Sequence, residues 1–197
     1  MAWDVEQTKA KLRAAAVQEF AERGLAGARV ERIAQRAGVN KERIYNYFGS
    51  KENLFTVVLS AELERIAASV PVPGPEAGGI GEYAGRCFDY HCDHPVLVRL
   101  LHWEALELPA DKPVPEEAER AGEYAHKVAA IAQAQRDGSA VNDVDARDLL
   151  FIIIAMTAWW AAVPQIARMV TGATTHAPGE RARRRASVVA AARHLAP

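Results

Sequence analysis

The chain has 197 residues, half of them hydrophobic and a quarter charged, with a formal net charge of −1 at pH 7. This is ordinary globular composition, sufficient for one or two small domains with a proper core; it excludes a disordered chain and argues against a protein that coats DNA in bulk. The two cysteines, Cys87 and Cys92, are five residues apart on one expected helix and point in different directions, which disfavours a disulfide between them.

In chain order, a first helix is expected from about Val5 to Arg23, with Gly24 after it. Residues 29 to 55 then read as two short helices joined by a glycine turn and followed by a third, the pattern of a helix-turn-helix. Ile33, Ala34 and Ala37 on the first short helix, Val39 at the turn, and Ile44 and Phe48 on the second fall where the two must touch. Gly38 stands where the chain must leave the first helix through a left-handed conformation, and Asn40 is placed to cap the second. Ser50 is placed to cap the next helix, Lys51 to about Ser69. A lysine in that first turn opposes the helix dipole, and a phosphate beside the helix end would reverse the penalty. Charge is uneven in the matching sense: residues 1 to 52 carry ten Lys and Arg against seven Asp and Glu, and residues 53 to 112 carry four against nine.

Residues 8 to 55 resemble the DNA-binding domain of TetR-type transcriptional repressors. The resemblance rests on Thr8, Leu12, Ala16, Phe20 and Gly24, then Ile33-Ala34, Ala37-Gly38-Val39, Tyr45, Tyr47-Phe48, Ser50-Lys51-Glu52 and Leu54. The chain departs from the family pattern at Arg29, where threonine is usual, and at Glu42, where a small residue, often glycine, is usual. Losing the threonine removes a helix cap worth about 1 kcal/mol; Arg29 is then either a phosphate contact or a solvated surface side chain. Glu42 either complements the helix dipole or accepts from a cytosine amino group. Tyr45, Tyr47 and Lys51 are the expected phosphate contacts, and base reading falls to Asn40, Lys41, Arg43 and Asn46.

Beyond the motif, Val70 to Gly79 is a turn-rich link. Helices are expected over roughly 80 to 94 and 95 to 108, divided at His94-Pro95, with a loop from Pro109 to Pro115 and a polar helix from about Glu116 to Arg136. Asn142 or Asp143 can cap a long apolar helix ending near Thr171, which Pro164 should kink; an alanine-rich helix runs from about Gly179 to Leu195. The most apolar run, Leu149 to Val163, holds 15 residues without a charge, whereas a spanning helix needs about 20. The opening Met-Ala-Trp-Asp-Val-Glu-Gln lacks the basic start and apolar core of a signal peptide, so a cytoplasmic protein with no membrane partner is expected. The run Arg183-Arg184-Arg185 reads as a solvated face.

The expected fold is all-α: a helix-turn-helix DNA-binding domain over residues 1 to 52, joined through the helix 51 to 69 to a larger helical ligand-binding and dimerisation domain over 53 to 197. Ile80, Tyr83, Ala84, Cys87, Phe88 and His91 follow the spacing of one buried helix face, with His91 its only ionisable member apart from the thiol and phenol. Aromatic and sulfur side chains with a few inward polar groups describe a small-molecule pocket, for which the candidates are Tyr83, Phe88, His91, Trp103, Glu104, Met156 and Trp159. The same stripes also fit plain core. His91, Cys92 and His94 diverge around one helix and no second cluster completes a tetrahedral set, so no metal and no cofactor is expected. No nucleophile, base and orienting group recur at interpretable spacing, so no catalytic residue is named and an enzyme is disfavoured. A scaffold that binds DNA without sequence choice is disfavoured by the near-neutral charge.

The leading expectation is a repressor whose partners are double-stranded DNA carrying an inverted repeat, a second copy of the chain and a small apolar effector. A regulator without an effector is the alternative. The last two helices expose more apolar surface than a monomer tolerates, and the resemblance implies that they pair two copies as a four-helix bundle.

Overall fold

A computed structural model describes residues 2–71, 78–140, 142–174 and 177–195. Residues 72–77, within the expected turn-rich link, lie outside the described residues. Among the described residues the chain forms ten helices and no strand: α1 (Ala2–Gly27), α2 (Val30–Ala37), α3 (Glu42–Phe48), α4 (Lys51–Ser69), α5 (Gly79–Asp93), α6 (Pro95–Glu107), α7 (Glu117–Arg136), α8 (Ala146–Ala162), α9 (Pro164–Thr171) and α10 (Glu180–Leu195). Two compact units result: residues 1–65 with 96–117, and residues 66–95 with 118–197. By packing, α6 is part of the first unit although it lies in the middle of the chain.

The first unit is built on Leu12, Ala16 and Phe20 of α1, which are fully buried with Ile33, Ile44 and Leu54. Phe20 meets Phe55 edge to face, ring centroids 5.1 Å apart, a geometry favoured by the ring quadrupoles. The first helix runs further than expected. Gly24 leaves helical geometry, with φ 69° and ψ −178°, and a final turn follows in which the Ala28 N–H donates to the Gly24 carbonyl at 3.2 Å. That conformation is open essentially to glycine alone. It lets the Trp103 indole of α6 lie where a side chain at position 24 would stand, with the Trp103 N–H donating to the Ala21 carbonyl at 3.3 Å.

In the second unit α5 packs against α8 and α10. Gly81 and Gly85 face α10: the stem of Arg193 occupies the space left by the missing Cβ at Gly81, and the Arg185 guanidinium with the Val189 methyl occupies it at Gly85. The guanidiniums then reach acids on α5: Arg185 binds Asp89 at 2.7 Å and Glu82 at 3.0 Å, Arg193 binds Glu82 at 3.1 Å, and Arg181 binds Asp93 at 2.6 Å.

Three expectations for this unit are corrected. The cap of the long apolar helix is Asp145, not Asn142 or Asp143: its carboxylate accepts from the Arg147 N–H at 2.8 Å. Pro164 ends that helix rather than kinking it, because proline has no N–H for the next bond; it starts α9, bent 88° from α8. The arginine run is not uniformly solvated. Arg184 is 1% exposed, with its guanidinium 5.0 Å from the Trp160 ring centroid and donating to the Ala173 carbonyl at 3.1 Å. The π face, the carbonyl and the Glu180 carboxylate at 3.3 Å together compensate the buried charge. Among the described residues no single helix is long and apolar enough to cross a membrane.

Candidate nucleic-acid interface

The reading head is formed by α2, the turn after it, α3 and the start of α4. Gly38 is left-handed, with φ 68° and ψ 34°, and the next N–H, from Val39, donates back to the Ala34 carbonyl at 3.0 Å. This closes α2 in a Schellman turn and sets the angle at which α3 departs. Ile33, Ala34 and Ile44 are buried at the contact, with Ala37, Val39 and Phe48 half-buried around it. The Asn40 side chain accepts from the Glu42 N–H at 3.4 Å, so it caps α3 through a long bond.

With Ile44 turned inward, the opposite face of α3 is presented outward. Asn40, Lys41, Glu42 and Asn46 are exposed and Tyr45 is 49% exposed. Glu42 stands in the first turn, where a carboxylate complements the dipole. Lys41 meets Glu31 of α2 at 3.0 Å, and that hydrogen bond raises the lysine above its ordinary range. Both side chains are about half exposed, and such a pair is worth little to stability.

Arg43 is half-buried, and its guanidinium lies 3.5 Å from the Thr8 hydroxyl and 3.4 Å from the Tyr47 hydroxyl. The Lys9 ammonium stands 5.9 Å from the Tyr47 ring centroid. Thr8 and Lys9 of α1 therefore join α3 at this edge, two residues that reasoning on the motif alone did not include. The available signal was Thr8, already among the positions carrying the resemblance.

Arg29 and Lys51 each have a structural setting. The α2 N-terminus lacks a threonine cap, and the Arg29 N–H donates instead to Glu19 of α1 at 3.2 Å. The same carboxylate takes the Arg32 guanidinium at 2.6 Å. Burial pushes Glu19 up, and the Arg32 and Arg29 hydrogen bonds more than reverse this, holding it ionised below the usual carboxylate range. Arg29 thus keeps an exposed side chain beside a helix end capped from elsewhere. Ser50 accepts from the Asn53 N–H at 3.0 Å and caps α4 as expected, while the Lys51 ammonium donates to the Ala28 carbonyl at 3.2 Å. That contact supplies a structural reason for a lysine in the first turn.

The candidate effector residues are distributed over both units. Tyr83, Phe88 and His91 are buried on α5, with Met156 half-buried and Trp159 55% exposed on α8. Trp103 and Glu104 are on α6 in the first unit, Trp103 over Gly24 and Glu104 buried.

The pattern described as "Bacterial regulatory proteins, tetR family" matches residues 12–58, and "Tetracyclin repressor-like, C-terminal domain" matches residues 79–194. The HTH-type transcriptional repressor SCO4008 of Streptomyces coelicolor is 45% identical over 169 residues, covering 86% of either chain. The HTH-type transcriptional regulator RutR of Escherichia coli is 30% identical over 177 residues, 86% of this chain and 81% of its own. Among solved structures, SCO4942 of Streptomyces coelicolor aligns with a TM-score of 0.78 at 35% identity, covering 96% of this chain and 98% of that one. These relatives are transcriptional regulators, not enzymes. With a capped helix-turn-helix in its first unit, a helical body in its second and both family patterns in register, the chain is a DNA-binding transcriptional regulator that belongs to the TetR family.

Proposed function

We propose that the protein is a homodimeric repressor that binds an inverted-repeat operator and is released by a small apolar effector. In this reading residues 1–52 form the DNA-binding domain, 51–69 connect, and 53–197 form the effector and dimerisation domain. The observation that carries it is the apolar face left uncovered on the second unit: Phe151 at 73% exposure, Ile152 and Trp159 on α8, with the exposed alanines 182, 186, 190 and 191 on α10. Large exposed apolar side chains beside small ones are complementary to a second copy of themselves, and a monomer seldom leaves such a face in water. Two copies related by a two-fold axis present two α3 helices, which makes the operator symmetric.

Asn40, Lys41, Arg43 and Asn46 read bases; Arg29, Tyr45, Tyr47 and Lys51 hold phosphates. The effector sits in the second unit among Tyr83, Phe88, His91, Met156 and Trp159. It acts only by binding one conformation better than the other, and α4 is the transmitter because it runs from the reading head into the second unit.

Selection of bound fragments from a random DNA pool tests this reading: an inverted repeat is expected, and Phe151→Glu yields a monomer by sedimentation that no longer holds it. Lys51→Ala weakens cognate and random duplex alike and lowers the salt slope by about one ion, whereas Asn46→Ala changes the selected sequence. A selected site without symmetry, or a tight-binding monomer, refutes it.

A further inference from the structure

The cations of the reading head are not equally available. Arg32 meets Glu19, Arg36 meets Glu22 and Lys41 meets Glu31, each within 3.4 Å, so each must give up a carboxylate before it can serve DNA. Arg43 is held differently. Its Nη1 donates to the Thr8 hydroxyl of α1 at 3.5 Å and to the Tyr47 hydroxyl, one turn further along α3, at 3.4 Å. Among the described residues no carboxylate pairs with it. Both acceptors are neutral, so they orient the guanidinium and leave its charge whole.

The donors of Arg43 divide accordingly. Nη1 carries two N–H groups, one for each hydroxyl, which leaves the edge formed by Nε and Nη2 unspent: two parallel N–H groups, the geometry that meets two acceptors at once. Arg43 is the second residue of α3, and a recognition helix meets base edges through its first residues, so the paired acceptors it suits are N7 and O6 of a guanine. Tyr47 accepts from Arg43 through its oxygen and keeps its own proton to donate to a phosphate. The Lys9 ammonium, 5.9 Å from the Tyr47 ring centroid, steadies the ring that carries this hydroxyl.

Thr8 is 6% exposed, too buried to touch DNA itself, and its route to DNA runs through Arg43. An arginine left loose gives up rotamer freedom when it binds. The part of that loss already taken in the unbound protein returns as affinity for the base the fork is aimed at. Resting on the reading that Arg43 contacts a base, we infer that Arg43 reads a guanine through its Nε and Nη2 edge and that Thr8 of α1 is a positioning residue, ordering this fork before DNA arrives. Lys41, by contrast, reaches a base only after releasing Glu31.

The test uses the full chain and a duplex selected from a random pool, with copies in which one guanine at a time is replaced by 7-deazaguanine, which lacks the N7 acceptor; binding is followed by fluorescence anisotropy. At one guanine of each half-site the replacement should cost about tenfold, and Arg43→Ala should abolish that penalty. Thr8→Val keeps the side-chain shape and removes the hydroxyl. Because the bond it removes is long, it should lower the preference for selected over random duplex by only about threefold. Thr8→Ser should restore the preference, and Thr8→Val should add nothing in the Arg43→Ala background. Should Thr8→Val fail to fold, Thr8→Ala carries the same comparison. A loss shared equally by random duplex, persisting without Arg43 or not rescued by serine marks a purely structural threonine and overturns the inference. If the guanine penalty depends on Arg43 but not on Thr8, the positioning role falls and the base reading stands. If Arg43→Ala weakens every duplex alike and leaves each 7-deazaguanine penalty in place, the fork holds a phosphate, and it is the base reading of Arg43 that falls.

Discussion

Replacing Gly24 by alanine probes the seat of Trp103 and the end of α1 in one step. The backbone at φ 69° and ψ −178° lies in a region essentially reserved for glycine, which costs an alanine about 1–3 kcal/mol. The added Cβ also meets the Trp103 ring at 2.7 and 2.8 Å, and the Glu107 carboxylate more closely still. The glutamate is a flexible end and can swing aside. The indole is rigid and held by its N–H on the Ala21 carbonyl, so relief requires α6 to move, an overpacking cost of about 1–3 kcal/mol. Gly24→Ala should therefore destabilise the protein by about 3 kcal/mol, measured by urea unfolding followed by circular dichroism at one fixed protomer concentration. Combining it with Trp103→Ala removes the steric part, so the two losses should fall short of additivity by about 1 kcal/mol. A loss below about 1 kcal/mol, or strict additivity, refutes the account of Gly24 as both a backbone and a packing requirement.

Gly85→Ala should cost about 1 kcal/mol net: better helix propensity is outweighed by a Cβ at 2.9 Å from Val189 and 2.8 Å from the Arg185 guanidinium, and a stabilised variant in thermal melts would contradict the α5–α10 seam. His91 imposes an acid sensitivity. Its folded form titrates near 4 against an ordinary 6.5, so stability is complete above pH 6.5 and falls between pH 6.5 and 4 as the unfolded chain takes the proton first. The loss reaches about 3 kcal/mol at most; His91→Phe should flatten that part of the stability profile, and an unchanged slope would show that the ring is not held neutral.

The reading head was legible from its sequence because its determinants are local. Gly38 terminates α2 by its own backbone freedom, Ser50 caps the helix that begins next to it, and Ile33, Ala34 and Ile44 are buried by helical spacing alone. The all-helical class and the buried stripe from Ile80 to His91 follow from the same periodicity. What depends on residues far apart in the chain was decided only by the tertiary structure. Glu19 replaces the missing threonine at the start of α2 from ten residues away, and Lys51 finds the Ala28 carbonyl across twenty-three. Arg184 and Arg185 look alike in a run of three arginines, yet one is buried against Trp160 and the other spans to Glu82 and Asp89. Side-chain type states what a group can bond to. Which partner it meets, and whether water remains beside it, depends on how helices distant in sequence pack; that His91 Nδ1 is buried without a partner therefore became visible only in the packed structure.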